Sequence, residues 1–389
     1  MRVNIEAQCL CVQREEIRGI PYYTLELLKN LTERGQNEYS VSFFDFNRER
    51  NNRAFITEYC ADMLDKLKIY ECNDLSYLTI LDCLRKDDHS LYNKRTYEDY
   101  IKCESDVYHF PHSIQFPDSI PQEKTVITVH DIIPIVNEHI QKAAPDFCLR
   151  FGNALKLLER KDGIPVITDS ASTKDDLLTY TDIKEERITV IPIAYNRNLY
   201  YPDRNEGVLK KYGIKKPYVL YLGALDPRKG IDVLLEALNY LKKPDYQIVL
   251  AGPSVPVWNA RELVEQSRHK DSVVFTGYVS DDEKRALLSQ AEIFVFPSFY
   301  EGFGLPVLEA MACETPVITT NASSLPEVGG DAVIYMSPGD AEGLADAVEK
   351  LLSDSVLRDD LISRGKQQCS LFSWEETARQ TEELYRSIA

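Results

Sequence analysis

Short apolar runs alternate with helical or turn segments along the chain, and this alternation constrains the fold more than any other feature. In the first half, the runs with the length of buried strands are residues 3–10, 39–46, 107–110, 125–129, 165–168 and 188–191. In the second half they are residues 218–222, 246–251, 273–276, 293–296, 317–320 and 333–336. Strands separated by helices pair in parallel, so the pattern predicts α/β sheets with helices on both faces.

Two sets of strands predict two domains. The chain has 389 residues, which exceeds the usual size of a single hydrophobic core. The stretch after residue 193 is irregular and polar, and we therefore divide the chain into residues 1–197, residues 198–372 and a final helix in residues 373–389. Residues 48–108 are rich in tyrosine and charge without a clear period, and we expect helices and loops there.

A strand, a glycine-bearing turn and a helix follow one another in residues 293–312. The two glycines after Glu301 let the backbone approach a ligand closely. The helix begins near Leu305 with Pro306 in its first turn, so its free N–H groups and positive dipole end suit an anion such as a diphosphate. Glu309 lies in an otherwise apolar part of this helix and needs a partner. A ribose diol would satisfy it, and so would an internal Arg, Lys or backbone group.

Charge and composition exclude several classes of protein. The chain has 45 basic and 62 acidic residues, a net charge of −17, which argues against general nucleic-acid binding. Nine cysteines without a Cys-x-x-Cys pair indicate reduced thiols. No segment is long and apolar enough to span a bilayer, and the first seven residues are charged where a signal peptide would be apolar. We therefore expect a cytosolic protein, with peripheral contact at the inner face of the membrane left open.

The sequence Glu301-Gly-Phe-Gly-Leu-Pro-Val-Leu-Glu309-Ala-Met-Ala resembles the E-x7-E motif of a large family of glycosyltransferases. This family is the retaining GT-B enzymes of family 4, the group 1 glycosyl transferases, which include bacterial mannosyl- and rhamnosyltransferases. The similarity covers the C-terminal half through residues 222–230, 275–280, 324–332 and 372–375. In the N-terminal half, only residues 18–20 and 129–134 resemble the family.

The resemblance implies a fold and a division of labour. The GT-B fold has two Rossmann-like domains facing each other across a deep cleft. The N-terminal domain of such enzymes binds the acceptor, the C-terminal domain binds the nucleotide-sugar, and the last helix crosses back to pack on the N-terminal domain. We therefore expect the site to lie at the carboxyl ends of the strands, in an interdomain cleft.

Four side chains are the candidate catalytic residues: His130, Arg228, Lys229 and Glu301. Arg228 and Lys229 follow a strand, where a guanidinium and an ammonium can stabilise a leaving diphosphate, although they could also merely begin a helix. His130 ends another strand, and the resemblance implies contact with a sugar hydroxyl and a role for its backbone carbonyl. By resemblance, Glu301 binds the hydroxyls of the donor sugar.

Eight further residues are candidates for donor binding: Gly19, Gly223, Val279, Gly302, Phe303, Gly304, Leu305 and Glu309. By resemblance, the nucleobase packs near Val279. Many relatives carry an arginine directly after the glycine equivalent to Gly223, whereas this chain has Ala224 there. His109 and His112 also end a strand and are open candidates for contact with the acceptor or the sugar.

The resemblance and the motifs together predict a retaining hexosyltransferase of the EC 2.4.1 type. The chain contains no Asp-x-Asp motif, so we expect transfer without a metal or other cofactor. The favoured reaction moves mannose from GDP-mannose to a saccharide or lipid-linked oligosaccharide in surface polysaccharide synthesis. The alternatives are dTDP-rhamnose or a UDP-sugar with a small-molecule acceptor, or a non-catalytic subunit that binds a sugar nucleotide.

Overall fold

Parallel strands in two separate sheets form the framework of the chain. The computed structural model describes residues 1–13, 19–44, 52–72, 85–86, 104–113, 116, 121–242, 245–255, 259–267 and 269–389. The chain divides into two units, of which the first is Met1–Ile193 with Trp374–Ala389 and the second is Ala194–Ser373. The first part of the first unit therefore ends at Ile193, and residues 194–197 belong to the second unit.

The strands described in the first unit are β1 Arg2–Glu6, β2 Glu38–Phe44, β3 Leu67–Cys72, β4 Val107–Phe110, β5 Thr125–Val129, β6 Val166–Thr168 and β7 Ile188–Val190. They pair in parallel in the order β3-β2-β1-β4-β5-β6-β7. The winding direction reverses between β1 and β4. Sheets of this kind bind ligands at that switch point, beyond the carboxyl ends of the strands.

Helices cover this sheet because their apolar residues recur at helical spacing. The helices described are α1 Ile20–Arg34, α2 Asn52–Tyr59, α3 Ile133–Val136, α4 Glu138–Ala143, α5 Pro145–Arg160 and α6 Ala171–Tyr180. Single 3-10 turns are Gln8–Leu10, Ala61–Met63, Gln122–Lys124 and Glu185–Arg187. In α5, for example, Phe151, Ala154, Leu155 and Leu158 are buried, and this stripe joins the core beneath β5 and β6.

The second unit repeats the same arrangement. Its strands are β8 Tyr218–Leu222, β9 Gln247–Ala251, β10 Val273–Gly277, β11 Ile293–Phe296, β12 Val317–Thr320 and β13 Ile334–Met336. They pair in parallel in the order β10-β9-β8-β11-β12-β13, with the switch point between β8 and β11. The helices described are α7 Gly207–Tyr212, α8 Ile231–Ala237, α9 Ala260–Gln266, α10 Asp281–Gln290, α11 Leu305–Ala312, α12 Leu325–Gly329, α13 Ala341–Ser353 and α14 Ser355–Ser370. Two 3-10 turns are Pro227–Lys229 and Lys270–Ser272.

The last helix, α15 Trp374–Ile388, belongs to the first unit and packs against α1. Its Glu382 is fully buried and accepts hydrogen bonds from Arg34 Nε at 2.9 Å and from Tyr39 Oη at 2.7 Å. Tyr385 is also fully buried, with its hydroxyl 2.6 Å from His109 Nδ1. The end of the chain thus completes the core of the unit in which the chain begins.

Two expectations about the first half are wrong. The first strand ends at Glu6 instead of residue 10, because the chain turns there and the Gln8 N–H donates to the Glu6 carboxylate at 2.8 Å. In residues 48–108, where only helices and loops are expected, Leu67–Cys72 forms β3. Among the described strands, β3 is at the edge of the sheet and pairs with β2 alone, so it lacks the continuous apolar run of a central strand. The helix α2 and the 3-10 turn Ala61–Met63 agree with the expectation of helices. Residues 48–51, 73–84 and 87–103 lie outside the described residues, as does Arg18.

Candidate active site

A lysine and a glutamate from the two sides of the second switch point form the centre of the candidate site. Lys229 Nζ lies 2.6 Å from Glu301 Oε1 and 2.7 Å from Glu301 Oε2. The Lys229 side chain is 22% exposed and the Glu301 side chain is 12% exposed. The Ser298 hydroxyl donates a further hydrogen bond of 2.6 Å to Glu301 Oε1. The pair lies beyond the carboxyl ends of β8 and β11, where the topology favours ligand binding.

Glycine at position 230 allows this approach. The turn Pro227–Lys229 ends at Gly230, which has a φ of 69°. A Cβ at this position would lie 1.9 Å from the carbonyl oxygen of Pro297, in the loop that follows β11. Only glycine fits between the two loops, and their close contact brings Lys229 to Glu301.

Arg228 lies beside Lys229 in the same turn. Asp226 caps the turn by accepting a hydrogen bond of 3.0 Å from the Arg228 N–H, and the Asp226 carboxylate lies 3.6 Å from Arg228 Nε. The Arg228 side chain is 19% exposed. Two cations are therefore placed at one loop. They lie in a single 3-10 turn that precedes α8, and not in the first turn of α8 itself.

The turn before α11 has the predicted form. Gly304 has a φ of 108°, and a Cβ there would lie 2.8 Å from Leu325 Cδ2, so glycine is required. Pro306 lies in the first turn of α11. The Ser324 hydroxyl has one proton, which the carbonyl oxygens of Glu301 and Phe303 share, at 2.9 and 2.7 Å from Oγ. This contact holds the loop between the two residues in place.

Glu309 has an internal partner. Lys284 lies on α10, and its Nζ is 2.5 Å from Glu309 Oε2. The Lys284 side chain is 17% exposed and the Glu309 side chain is 9% exposed. Of the alternatives weighed from the sequence, the structure thus shows the internal lysine. A carboxylate has a second oxygen, so this ion pair is compatible with a ligand at the same residue.

The other predicted donor-binding residues lie in adjacent loops. Gly223 follows β8, and its carbonyl oxygen would be 1.9 Å from a Cβ at Gly252, so the loops after β8 and β9 touch. Val279 follows β10 and precedes the N-cap of α10. Phe303 is buried with its ring edge-on to Phe372. These residues therefore border the carboxyl edge of one sheet together with Lys229 and Glu301.

His130 lies in the first unit, at the carboxyl end of β5. Its Nδ1 is 2.6 Å from Asp169 Oδ2 and its Nε2 is 2.8 Å from the Pro111 carbonyl oxygen. Both partners only accept hydrogen bonds, so the ring needs a proton on each nitrogen to make both bonds. Burial lowers the pKa of His130, but the charge and hydrogen bond of Asp169 outweigh burial and raise that pKa above its ordinary value. The pairing with Asp169 therefore favours the imidazolium form of this partly buried ring.

The two other histidines of this region also have protein partners. His109 is fully buried between the hydroxyls of Tyr385 and Thr128, and burial lowers its pKa to about 3, so it is neutral. It is an interior residue in this structure. His112 Nε2 lies 2.9 Å from Glu6 Oε2, and both side chains are buried. His112 follows β4 and Glu6 is the last residue of β1, so the pair lies at the switch point of the first sheet.

Gly19, the remaining predicted residue, lies at the start of α1 with a φ of 55°. No atom of the described structure lies within 4 Å of a Cβ placed there. The glycine thus satisfies a backbone requirement, because its φ is one that other residues rarely adopt.

Residues 207–368 match the family described as glycosyl transferases group 1. The O-antigen chain mannosyltransferase B of Escherichia coli is 33% identical over 308 residues, which are 76% of this chain and 76% of that protein.

The chain belongs to the glycosyl transferases group 1 family.

A second relative is longer than this chain. The serotype-specific mannosyltransferase WbdA of Escherichia coli is 34% identical over 281 residues, which are 69% of this chain and 34% of WbdA. The chain thus spans about a third of the length of that relative. Among solved structures, the sucrose-phosphate synthase of Thermosynechococcus elongatus has a TM-score of 0.75 and 22% identity, and the match covers 100% of this chain and 98% of that one. This similarity shows the GT-B fold, two parallel α/β sheets of the Rossmann type.

Three residues of this group 1 glycosyl transferase pair with candidate site residues but were not predicted from its sequence: Asp169, Glu6 and Lys284. Asp169 follows β6 directly, so the rule that singles out His130 at the end of β5 could have found it. Glu6 could have been found only with the correct end of β1. Lys284 has no local signal, because its partner Glu309 lies on another helix.

In the part of the chain that the structure describes, no helix is long and apolar enough to cross a membrane. In the same residues, no group of three or more His, Cys, Asp or Glu side chains is placed to hold a metal ion. Metal-independent transfer stays a prediction from the sequence.

Proposed function

We propose that this group 1 glycosyl transferase is a retaining, metal-independent hexosyltransferase. Its reaction moves mannose from GDP-mannose to a saccharide or lipid-linked oligosaccharide during surface polysaccharide synthesis. The observation that carries this proposal is the Lys229–Glu301 pair at the switch point of the second sheet, next to the start of α11. The two Escherichia coli relatives are both mannosyltransferases, which supports mannose as the sugar.

In this proposal, the second unit binds the donor. The first N–H groups of α11 and the cations Arg228 and Lys229 receive the diphosphate, whose negative charge grows as the bond to the anomeric carbon breaks. Glu309 accepts hydrogen bonds from the ribose hydroxyls. Glu301 accepts hydrogen bonds from the sugar hydroxyls, while the Lys229 ammonium, which has three N–H donors, bridges Glu301 and the phosphate.

Retention in this proposal follows from attack on the same face from which the diphosphate leaves. The leaving phosphate then accepts the proton of the acceptor hydroxyl, so no side chain is needed as a nucleophile. His130 acts at the sugar through its backbone carbonyl, because both ring nitrogens already have protein partners. That carbonyl oxygen accepts one hydrogen bond from Thr173 Oγ1 at 3.1 Å and has a second lone pair for a ligand.

The test is a donor panel with the purified chain. We expect GDP-mannose to raise the melting temperature by several degrees, with the same shift in EDTA, and UDP-, ADP- and dTDP-sugars to have smaller effects. With a mannoside acceptor, we expect an α-linked product by NMR, the configuration of the donor. An inverted product would exclude the retaining mechanism. A shift that disappears in EDTA would exclude metal-independent donor binding. Tight donor binding without turnover on any acceptor would favour a non-catalytic subunit.

The location of the protein is part of this proposal. A lipid-linked acceptor places the reaction at the inner face of the membrane, with the chain in the cytosol or peripherally attached. Fractionation of cells that express a tagged full-length protein tests this location. Recovery from the periplasm would contradict it.

A further inference from the structure

A second lysine–glutamate pair lies in the donor-binding unit, between α10 and α11. Lys284 Nζ is 2.5 Å from Glu309 Oε2, and both side chains are largely buried. Lys284 also lies over the ring of Tyr200, 4.9 Å from its centroid. Within the described ranges, Lys284 is the one cation within ion-pair distance of Glu309. None of the family motifs in the sequence includes Lys284.

The position of the pair relates it to the anion site. Glu309 is the fifth residue of α11, about 6 Å along the helix axis from the residue that begins it, at a rise of about 1.5 Å per residue. A bare carboxylate at that distance would repel a diphosphate bound at the helix start, more strongly in a partly buried site than in water. An adjacent ammonium offsets this charge. It also fixes one carboxylate oxygen, which limits the rotation of the other.

We propose that Lys284 is a positioning residue for donor recognition, which orients Glu309 and offsets its charge so that the carboxylate binds the nucleotide ribose beside the diphosphate. This inference rests on the proposed function, in which Glu309 accepts hydrogen bonds from the ribose. The alternative is that the ion pair only joins α10 to α11. The two roles differ in one measurable respect, because a joining role has no reason to depend on the ribose hydroxyls.

The experiment measures binding of GDP and of 2′,3′-dideoxy-GDP by titration calorimetry, with UDP and its dideoxy form used if GDP does not bind. The quantity of interest is the ratio of the two dissociation constants, the ribose preference. We expect Glu309→Gln to remove most of this preference. We expect Lys284→Met to reduce it about tenfold, while affinity for the dideoxy nucleotide changes much less. Lys284→Arg, which keeps the charge, is expected to retain most of it.

Lys211→Met is the matched control. Lys211 pairs with Glu283 at the start of the same helix α10, but its side chain is 60% exposed. Loss of this surface pair is expected to leave the ribose preference unchanged. The double variant Lys284→Met/Glu309→Gln is expected to match Glu309→Gln alone, because Lys284 acts through Glu309.

The outcomes separate the inference from the proposed function. If the wild-type protein binds no nucleoside diphosphate, the proposed function is wrong. If it binds both nucleotides and Glu309→Gln removes the ribose preference, but Lys284→Met weakens both nucleotides equally or neither, only the inference is wrong. If Lys284→Met does not fold, we replace it with Lys284→Gln, which keeps a hydrogen-bond donor without the charge. An unchanged ribose preference in Lys284→Gln would overturn the inference.

Discussion

At the residue scale, the proposed function gives Lys229 two anionic partners, Glu301 and the diphosphate. Two short contacts join its ammonium to Glu301. A bound diphosphate adds negative charge beside the pair, and a lysine between a carboxylate and a phosphate lowers the repulsion of both. In the proposed reaction, the same cation stabilises the leaving group as its charge develops. Its removal is therefore expected to affect catalysis more than stability, since Glu301 keeps the hydrogen bond from Ser298.

We predict that Lys229→Met lowers kcat/KM for GDP-mannose by about 10²–10³-fold, the effect of removing one preorganised donor from a transition state. Steady-state kinetics with a fixed acceptor measures it. Lys215→Met, which removes an exposed lysine of the same unit, serves as the control and is expected to act like the wild type. A Lys229→Met enzyme within threefold of the wild type would show that Lys229 does not stabilise the leaving group.

His130 gives a second prediction at this scale, on pH. The pKa of His130 is raised in the folded state, so the stabilisation by Asp169 is fully present below the ordinary pKa of 6.5 and is lost as the pH rises through the higher folded pKa. We expect Asp169→Asn to lower the free energy of unfolding of the first unit by about 1.5–3 kcal/mol at pH 6, the range for hydrogen bonds to charged groups, and by less at pH 9.

Urea denaturation at the two pH values measures this difference. Asp175→Asn is the control, because Asp175 is an exposed aspartate on the neighbouring helix α6. The same loss for Asp169→Asn at pH 6 and pH 9 would contradict the charged state of His130. A loss that grows with pH would contradict it more strongly.

At the element scale, the contact between the loops after β8 and β11 sets the geometry of the site. Gly230 and Gly213 have nearly the same left-handed backbone, with φ of 69° and 67°. A Cβ at Gly213 would meet no atom within 4 Å, whereas a Cβ at Gly230 would meet the Pro297 carbonyl. Alanine substitutions at the two positions therefore separate the cost of backbone strain from the cost of a steric clash.

We predict that Gly213→Ala lowers the stability of the second unit by about 1–2 kcal/mol, through strain alone. Gly230→Ala is expected to lower it by about 3 kcal/mol or more, because strain and displacement of the Pro297 loop add. Gly230→Ala should also weaken GDP binding, since Lys229 then moves relative to Glu301. Thermal unfolding and nucleotide titration measure both effects. Equal losses for the two variants would show that the loops do not depend on their close contact.

Elements in the interior of a sheet were readily predicted from the sequence. The runs that form β8 and β11 are apolar on both faces, and their predicted bounds are confirmed. The edge strand β3 was missed, because a strand paired on one side can be polar and half exposed. Capping and proline signals located the start of α11, because they act within one turn.

At the scale of the whole molecule, sequence motifs predict which side chains share a sheet edge, but they do not predict contacts between side chains of different helices. Lys229 and Glu301 are 72 positions apart, yet a shared sheet edge places both at one site, as the topology rule predicts. The pairing of Lys284 with Glu309 joins two helices through side chains and leaves no periodic trace. His109 looked like a site residue because it ends a strand, but the last helix buries it.

The last helix yields a prediction about the whole chain, because residues at its end stabilise the unit that contains its beginning. Glu382 is fully buried against Arg34 and Tyr39, whereas its neighbour Glu383 is 54% exposed and pairs with Arg379. Removing one partner of a buried ion pair leaves the other charge uncompensated, so we expect Glu382→Ala to lower the stability of the first unit by about 3–5 kcal/mol. Glu383→Ala, the control, should change it by less than about 0.5 kcal/mol.

Calorimetric unfolding with and without GDP assigns these losses to a unit. GDP is expected to stabilise the second unit, which identifies its transition, and the loss in Glu382→Ala should fall on the transition that GDP does not shift. The nucleotide affinity of the variant should match that of the wild type, because the hydrogen-bond partners of Glu382 among the described residues belong to the first unit. A loss on the transition that GDP shifts would contradict the assignment of the last helix to the first unit. In that case, the end of the chain would stabilise the donor-binding unit instead.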